Sequence, residues 1–381
     1  MLGSADYAIV IGDWRARRMV FQTAESQLIS VGWGRELCAM SKATAEFICD
    51  PLIANRFEPW AHTLTVYRNQ RVVWHGIITK VTAKGGQIKV EAGDGARFFK
   101  ARRVPGHRVW LQHDATQVMV THVTDALSLY DACAVTENMA THESRIWVNG
   151  EYRPSECMVQ EVVDDLTEQG LVWTFGAGTL IIGPVLKDKR LAQLADKDFD
   201  GDFTVVKNGD EVVTDAFVQG KGVWGQWGVE SACGLVQSID KADGSVRAEE
   251  CENQARQIVE DYRVAPRRLA AGGGVQLLPT APVVIEELIP GVTVPIASSA
   301  AGVTLAANLC LSKLDVDVDD GGESVKVTLD EKSVVFDPES MPDQAQYDFR
   351  SPYEKEQEKK ERDGIGSGSA SDDDVEGVPP A

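Results

Sequence analysis

The sequence predicts a mainly β fold with an α+β insertion: two β-barrel-like domains flank a small α+β domain, and a flexible acidic tail follows. Three observations predict this class. Residues 64–99 alternate apolar and polar side chains with the period of two that strands show. Apolar residues at helical spacing occur near 115–127, 155–169 and 245–265. Residues 341–381 combine mixed charges with Gly, Ser, Asp and Pro, and therefore carry too little apolar surface to form a core.

The first domain is predicted to span residues 1–105 as a barrel or sandwich of roughly six strands. Short apolar segments, most of them bounded by Gly, Asp or Arg, predict the early strands at 7–12, 19–21, 27–33 and 45–49. Further strands fill residues 64–99, with turns at Asn69-Gln70 and Lys84-Gly85-Gly86, because Asn and Gly tolerate positive φ. Both faces of the middle strand are largely apolar, so we expect it inside a two-layer β structure with Trp74 buried.

Residues 106–202 are predicted to form the α+β domain. The segment 115–127 predicts a helix, because its apolar side chains fall on one helical face. A second helix is expected over 155–169, with Ser155 as its N-cap. The segment 171–183 then predicts a hairpin that turns at a Gly-Ala-Gly sequence.

Residues 203–340 are predicted to form the second barrel-like domain, interrupted by one helix over 245–265 that ends before Pro266. One face of this helix is expected to cover a sheet and the other to face water. The covering residues are Ala248, Cys251, Ala255, Ile258, Val259 and Tyr262. The water-facing residues are Val246, Glu249, Asn253, Arg256 and Glu260.

Composition narrows the functional class. The formal net charge is -20, whereas a nucleic-acid footprint needs clustered Lys and Arg, so we expect no sequence-specific nucleic acid binding. The chain has no apolar run long enough for a transmembrane segment, and its first residues lack a signal-peptide pattern, which predicts folding in a cytoplasm. Its 7 cysteines are scattered without a C-x-x-C pair, and we expect them to be buried free thiols.

A calcium loop is the first metal site to consider. Four aspartates precede a Gly-Gly pair, namely Asp315, Asp317, Asp319 and Asp320. An EF-hand loop needs Gly at its sixth position and Glu at its twelfth, and counting from Asp315 those positions hold Asp320 and Lys326. We therefore expect the acids on the solvent-exposed face of a strand that points Leu314, Val316 and Val318 inward.

The histidines do not suggest a zinc site, because they form no H-E-x-x-H motif or tight Cys/His pair. They are His62, His75, His107, His113, His122 and His142.

The sequence also contains no familiar catalytic motif. The sequence has no nucleophile elbow and no P-loop, and Gly93-Asp94-Gly95 is too short for a dinucleotide site, so Asp94 is expected to order the turn after its strand. Candidates for a cell-wall hydrolase are the carboxylates Glu156, Asp164 and Asp165, and a thiol pair of Cys157 with His142. The carboxylates lie on a helix that is merely amphipathic, and the thiol has no papain-like context. We therefore assign no catalytic, cofactor-binding or metal-binding residue.

Residues 64–99 also carry a family resemblance. The step Trp74-His75-Gly76-Ile77, a glycine turn, the strand end Glu91-Ala92-Gly93-Asp94, and then Arg97 leading into Arg102-Arg103 resemble the first domain of phage tail hub proteins, which lie at the tail tip of long-tailed bacteriophages. That first domain is a barrel that places one edge in a ring around the tail axis.

The C-terminal part resembles the closing barrel of actinobacteriophage tail hub proteins. There, a strand that carries Leu288-Ile289-Pro290-Gly291 leads to two strands, here 308–318 and 325–329, which lie back against the first domain. The resemblance spans about residues 7–338 and rests on the order and spacing of elements rather than on a rare motif.

The resemblance implies a structural, non-enzymatic minor tail protein without cofactors, the hub of a siphophage tail tip (baseplate) in the virion. Its expected form is a homotrimer whose paired barrels give quasi-six-fold contact with the tail tube. The implied partners are the distal tail protein, the tape measure protein, and other minor tail or receptor-binding proteins used in host attachment. Two alternatives remain: a cell-wall hydrolase on the same scaffold, or a host-glycan-binding module that uses Trp224 and Trp227.

Overall fold

The structure is a computed structural model of the chain. It describes residues 2–3, 5–128, 138–186, 188–200, 204–207, 209–242, 245–263, 267–270, 274–298 and 305–331. The predicted flexible tail, 341–381, lies outside the described residues.

The predicted class, mainly β with an α+β insertion, is confirmed. The first strands are β1 (Tyr7–Asp13), β2 (Arg18–Gln22), β3 (Leu28–Glu36), β4 (Lys42–Ile48), β5 (His62–Arg68), β6 (Arg71–Lys84) and β7 (Gln87–Gly93). The middle strands are β8 (Arg108–Asp114), β9 (Met139–Thr141), β10 (Trp147–Tyr152), β11 (Trp173–Gly176), β12 (Thr179–Ile182) and β13 (Leu194–Ala195). The last strands are β14 (Thr204–Lys207), β15 (Asp215–Gln219), β16 (Trp224–Gly228), β17 (Gln237–Lys241), β18 (Arg267–Ala270), β19 (Val275–Leu277), β20 (Thr293–Ser298), β21 (Leu305–Asp319) and β22 (Gly322–Glu331).

Helices are few and short. They are α1 (Pro51–Ala54), α2 (Arg97–Ala101), α3 (Ala115–Ser128), α4 (Val159–Glu168) and α5 (Ala248–Tyr262). Those predicted near 115–127 and 245–265 are confirmed as α3 and α5. The N-cap predicted at Ser155 is wrong, because helix α4 begins at Val159 after Met158. The backbone just before α4 already has other hydrogen-bond partners. Met158 forms an isolated antiparallel β-bridge with Arg103, and the Glu161 carboxylate accepts the Met158 N–H at 3.0 Å.

The early strands follow the sequence pattern closely. Strands β1 to β7 form one antiparallel run in the order β3-β4-β7-β6-β5-β1-β2. The turn between β5 and β6 places Asn69 and Gln70 at φ 47° and 65°, and the turn after β6 uses Gly85 and Gly86, as predicted. Trp74 on β6 is only 2% exposed, which confirms that it belongs to the core.

The C-terminal strands complete the same sheet. Among the described residues this sheet has 14 strands, because β21 pairs antiparallel with β3 and also with β22. The hub resemblance implied that two C-terminal strands lie back against the first domain, and β21 does so along Lys313 to Val318. One hydrophobic core accordingly draws side chains from both parts, such as Ile9, Trp33 and Leu314.

A second core lies in the α+β unit, where α3 and α4 pack against the β11–β12 hairpin. A third core lies under the sheet that helix α5 was expected to cover, and this sheet is separate from the 14-stranded one. It has the order β16-β15-β17, and helix α5 buries Cys251, Ala255 and Val259 against it. The domain boundaries near 105 and 203 stay predictions.

Helix α5 differs from its predicted faces at one charged residue. Arg256, expected in water, is only 6% exposed, because its guanidinium stacks over the Trp227 ring at 4.8 Å. An arginine can be buried in this way because its planar group packs on an aromatic face.

The unit formed by helix α5 and the sheet of β15, β16 and β17 should become less stable as the pH rises. Burial, followed by repulsion from Asp165, raises the pKa of Glu250 to about 7, and burial raises the pKa of Asp261 to about 7. An unfolded chain ionises these carboxyls near pH 4. Between about pH 4 and pH 7 the folded chain therefore binds more protons than the unfolded chain, and its stability falls as the pH rises.

Glu250→Gln tests this expectation, since it removes the ionisation and keeps the shape. Thermal melts from about pH 5 to about pH 8 should show a smaller loss of melting temperature for this variant than for the wild type. The control is Glu230→Gln, at an exposed position, which should follow the wild type. An unchanged slope in Glu250→Gln would contradict the expectation.

Candidate functional site

The candidate functional site is the seam at which β21 joins β3, because there the first and last parts of the chain become one body. The paired residues include Leu314 with Arg35 and Val316 with Trp33. Leu314 and Val316 are fully buried in the shared core.

Arg35 is a buried positive charge at this seam. Its guanidinium donates to the carbonyls of Ile285 at 3.2 Å, Leu288 at 2.9 Å and Val73 at 2.8 Å. Burial lowers the pKa of Arg35 to about 10, so the group remains charged at neutral pH. It therefore ties the loop before β20 and strand β6 to strand β3.

A second charged group joins the N-terminus to β22. The Arg68 guanidinium donates to Glu323 at 2.7 Å from Nε and at 3.0 Å from Nη2. The Gly3 N–H donates to the same carboxylate at 2.9 Å, and the Tyr7 hydroxyl donates to it as well. Burial alone would raise the pKa of Glu323, but the hydrogen bonds from Arg68 and Tyr7 outweigh burial and hold this pKa below its usual range.

Asp94 orders the turn after β7, as the sequence predicts. Its carboxylate accepts the Ser41 N–H at 2.8 Å, the Ser41 hydroxyl at 2.6 Å and the Ala96 N–H at 3.0 Å. Burial raises the pKa of Asp94 to about 6, although these hydrogen bonds oppose the rise. The Trp74 indole N–H also donates to the Ser41 hydroxyl at 3.2 Å, so this network fixes both the turn and the core.

The aspartates of β21 lie on the outer side of the seam. Leu314 and Val316 point into the core and Val318 packs against it, which confirms the predicted inward face. Asp315 and Asp317 line a groove of about 320 Å³. Its floor is Gly32 and Gly34 of β3; a Cβ on either would lie within 3 Å of one of these carboxylates.

Charges in this groove are mixed rather than purely acidic. Lys313 contacts the Asp315 carboxylate at 3.1 Å, and Lys42 and Lys326 also line the groove. Within the described part of the chain, no group of three or more His, Cys, Asp or Glu side chains has the arrangement of a metal site.

The carboxylates considered for hydrolysis have separate partners in the structure. Asp165 accepts a hydrogen bond from the Tyr152 hydroxyl at 2.6 Å, and burial raises its pKa. Asp164 accepts from Gln160, and Glu156 lies 3.5 Å from Arg153. Asp165 instead lies near Glu250 of α5, a partner that sequence spacing could not reveal.

Cys157 and His142 likewise contact different groups. The Cys157 thiol donates to the Met158 carbonyl at 3.4 Å, and the His142 ring contacts the Glu143 carbonyl at 3.1 Å. Burial, together with nearby carboxylates, raises the pKa of Cys157 to about 11. The thiol therefore stays protonated at neutral pH, which is the opposite of what a nucleophile requires.

We expect Cys233 to be alkylated well before Cys157 in the native protein. Cys233 is exposed, contrary to the expectation that the cysteines are buried, whereas the raised pKa of Cys157 keeps its thiol protonated at pH 7. Brief iodoacetamide treatment followed by peptide mass spectrometry measures this order, and labelling in denaturant is the control, in which both cysteines should react alike. Labelling of native Cys157 as fast as Cys233 would indicate an activated thiol.

The two tryptophans considered for sugar binding lie on β16 and face opposite sides of the small sheet. Trp224 stacks on Phe217 with centroids 5.2 Å apart, on the side away from α5. Trp227 packs into the core under α5. The pair therefore does not form one aromatic platform, contrary to the glycan-binding alternative.

Comparison with known proteins gives matches only at the level of structure, since no family model and no curated protein sequence matches the chain. The 43 kDa tail protein of prophage MuSo2 from Shewanella oneidensis matches with a TM-score of 0.60 and 12% identity, over 87% of this chain and 98% of that chain. A tail protein from Neisseria meningitidis matches with a TM-score of 0.62 and 11% identity, over 89% of this chain and 100% of that chain.

A third match is the E. coli c3393 protein, a component of the type VI secretion system with structural similarity to the T4 bacteriophage tail proteins gp27 and gp5. Its TM-score is 0.50 and its identity 8%, over 82% of this chain and 75% of that chain. The chain has the fold of phage tail proteins. No helix in the described ranges of this tail-protein fold is long and apolar enough to cross a membrane.

Proposed function

We propose that this chain is the hub at the distal end of a siphophage tail, where three copies form a ring between the tube and the tip. The observation that carries the proposal is the fold match, which covers 98% and 100% of two whole tail proteins rather than one shared module. A match to a protein with structural similarity to gp27 and gp5 also supports a place in the tail assembly. The likeness to actinobacteriophage hubs rests on Leu288 to Gly291 and the strands that follow.

A ring of three subunits can match the six-fold symmetry of a tail tube. If each subunit offers two barrel-like domains, about 1–105 and 203–340, three subunits offer six quasi-equivalent contacts. The α+β domain, about 106–202, would then project towards the tip. The β21–β3 pairing holds strands of the two ranges together within one sheet.

The partners of such a hub are the distal tail protein above it, the tape measure protein inside, and minor tail or receptor-binding proteins outside. The role we propose is structural and not enzymatic. The net charge of -20 suits a lumen that DNA passes, because like charge suppresses adhesion within a Debye length of about 8 to 10 Å.

Electron cryomicroscopy of the assembled tail tests the proposal. We expect three copies of this chain on the axis at the distal end of the tube. Six copies per tip, or a position on the outer tube wall, would overturn the hub assignment. Zymography on host cell wall checks the hydrolase alternative in parallel, and cleared bands would contradict a purely structural role.

A further inference from the structure

Two tryptophans form a surface patch beside the β1–β2 turn. The Trp14 indole N–H donates to the Trp60 carbonyl at 2.8 Å. Both rings pack edge-on against Phe98 of α2, at centroid distances of 6.0 Å and 5.8 Å. Trp60 remains 38% exposed, whereas Phe98 is buried, so the Trp60 indole packs on a buried ring and still faces solvent.

Basic side chains surround these rings. Arg15 lies over Trp14 at 5.2 Å, Arg97 lies over Trp60 at 5.6 Å and Arg102 lies over Phe98 at 5.8 Å. Exposed Lys100 follows on α2. We call this patch the Trp14–Trp60 surface and define it by six residues: Trp14, Arg15, Trp60, Arg97, Lys100 and Arg102.

In the described part of the chain, the charges of Arg15, Arg97 and Lys100 are not neutralised by a neighbouring carboxylate. Among the described residues, no carboxylate lies within ion-pair distance of Arg15, Arg97 or Lys100. The Arg97 Nε is buried and has no hydrogen-bond partner. In a chain with a net charge of -20, a basic patch of this kind points to an anionic ligand.

Backbone strain at the patch agrees with a binding role. Trp60 has φ +67°, in the left-handed region that a bulky residue rarely adopts. The surrounding turn holds it there, since the Trp60 N–H donates to the Ile78 carbonyl at 2.9 Å. Such conformations persist where the neighbouring structure imposes them, often at binding sites.

The chemistry of the surface selects planar anions. Guanidinium groups bind carboxylates through paired hydrogen bonds, and their stacking on indoles holds them in place. The chain itself contains such a ligand, the run Asp372-Asp373-Asp374-Val375-Glu376, and it has no Lys or Arg after Arg362. The 40 residues from 332 to 371 can span at most about 140 Å, so covalent linkage does not keep this run from the surface.

We propose that the Trp14–Trp60 surface binds the acidic run Asp372 to Glu376 of the same chain. A tethered ligand acts at a high effective concentration, so it occupies the surface ahead of free competitors. Nucleic acid is disfavoured as the occupant, because it is not tethered to the chain and lacks the high effective concentration of the acidic run.

A labelled peptide of residues 363–381 is the probe, added to the full chain. The wild type should bind it weakly, because its own run competes for the surface. A chain carrying Asp372→Asn, Asp373→Asn and Asp374→Asn should bind it at least about tenfold tighter, with an affinity that falls as salt rises. A probe with Asn in place of every acid should not bind.

Surface variants test the location of the site. Arg15→Gln, made in the neutralised chain, should lose at least about tenfold in probe affinity, and adding Arg97→Gln should abolish binding. Arg15 is exposed and its replacement leaves the core intact, so a folding defect cannot explain the loss. The matched control is Arg71→Gln, at an exposed position on β6, which should bind as the neutralised chain does.

Three results would overturn the proposal. The first is equal probe affinity for the wild type and the neutralised chain, and the second is probe binding that survives Arg15→Gln combined with Arg97→Gln. The third is a single-stranded oligonucleotide that binds the wild type more tightly than the peptide binds the neutralised chain.

Discussion

Replacing Glu323 with alanine is expected to lower the free energy of unfolding by about 3 to 5 kcal/mol, the usual cost of breaking a buried ion pair on one side. The Arg68 side chain is 3% exposed and that of Glu323 is 1% exposed, so after the replacement the guanidinium would keep the Glu286 carboxylate at 3.6 Å but could not regain water in place of Glu323. The Tyr7 hydroxyl and the Gly3 N–H would lose the same acceptor. Urea unfolding followed by circular dichroism measures the loss.

The matched control is Glu91→Ala, which breaks the ion pair with Lys80 at 3.1 Å. There both side chains are largely exposed, at 63% and 40%, so the expected cost is at most about 1 kcal/mol. The double replacement Arg68→Met with Glu323→Leu should recover much of the loss, because apolar groups of similar volume need no partner. Equal costs for Glu323→Ala and Glu91→Ala would show that the buried pair does not stabilise the seam.

Much of the fold could be predicted because its strands carry local signals. The turn at Asn69-Gln70, the buried Trp74 and the helix α3 follow from spacing and turn chemistry within a few residues. Such signals arise from the backbone itself and do not depend on distant parts of the chain.

The groups that hold the candidate site together could not be predicted in this way. Arg68 and Glu323 are 255 positions apart, and nothing in either neighbourhood indicates the other. A charged residue such as Arg35 is normally expected in water, and its burial is explained by the carbonyls that converge on it and by the Trp33 ring, 5.1 Å from its guanidinium. A sheet under helix α5 was expected, but its separation from the large sheet could not be predicted, because β15 pairs in parallel with the short polar strand β17.

Replacing Trp74 with alanine is expected to cost roughly 3 to 5 kcal/mol in unfolding free energy, as truncation of a buried large aromatic does. The side chain is 2% exposed and packs in the core shared by both parts of the chain. Its loss would leave a cavity beside Gly76, because the Trp74 ring lies 2.5 Å from the position that a Cβ on Gly76 would take. The Ser41 hydroxyl would also lose a donor.

Two further variants separate these contributions. Trp74→Phe keeps most of the ring but removes the indole N–H, so it should cost about 1 kcal/mol for the hydrogen bond plus a smaller cavity term. Trp147→Ala makes the same truncation at a side chain that is 37% exposed, and should cost well under half as much as Trp74→Ala. Urea midpoints by circular dichroism rank the three. If Trp74→Ala unfolded at the wild-type midpoint, the side chain would have to lie on the outer face of β6, which would mean a one-residue shift in strand register.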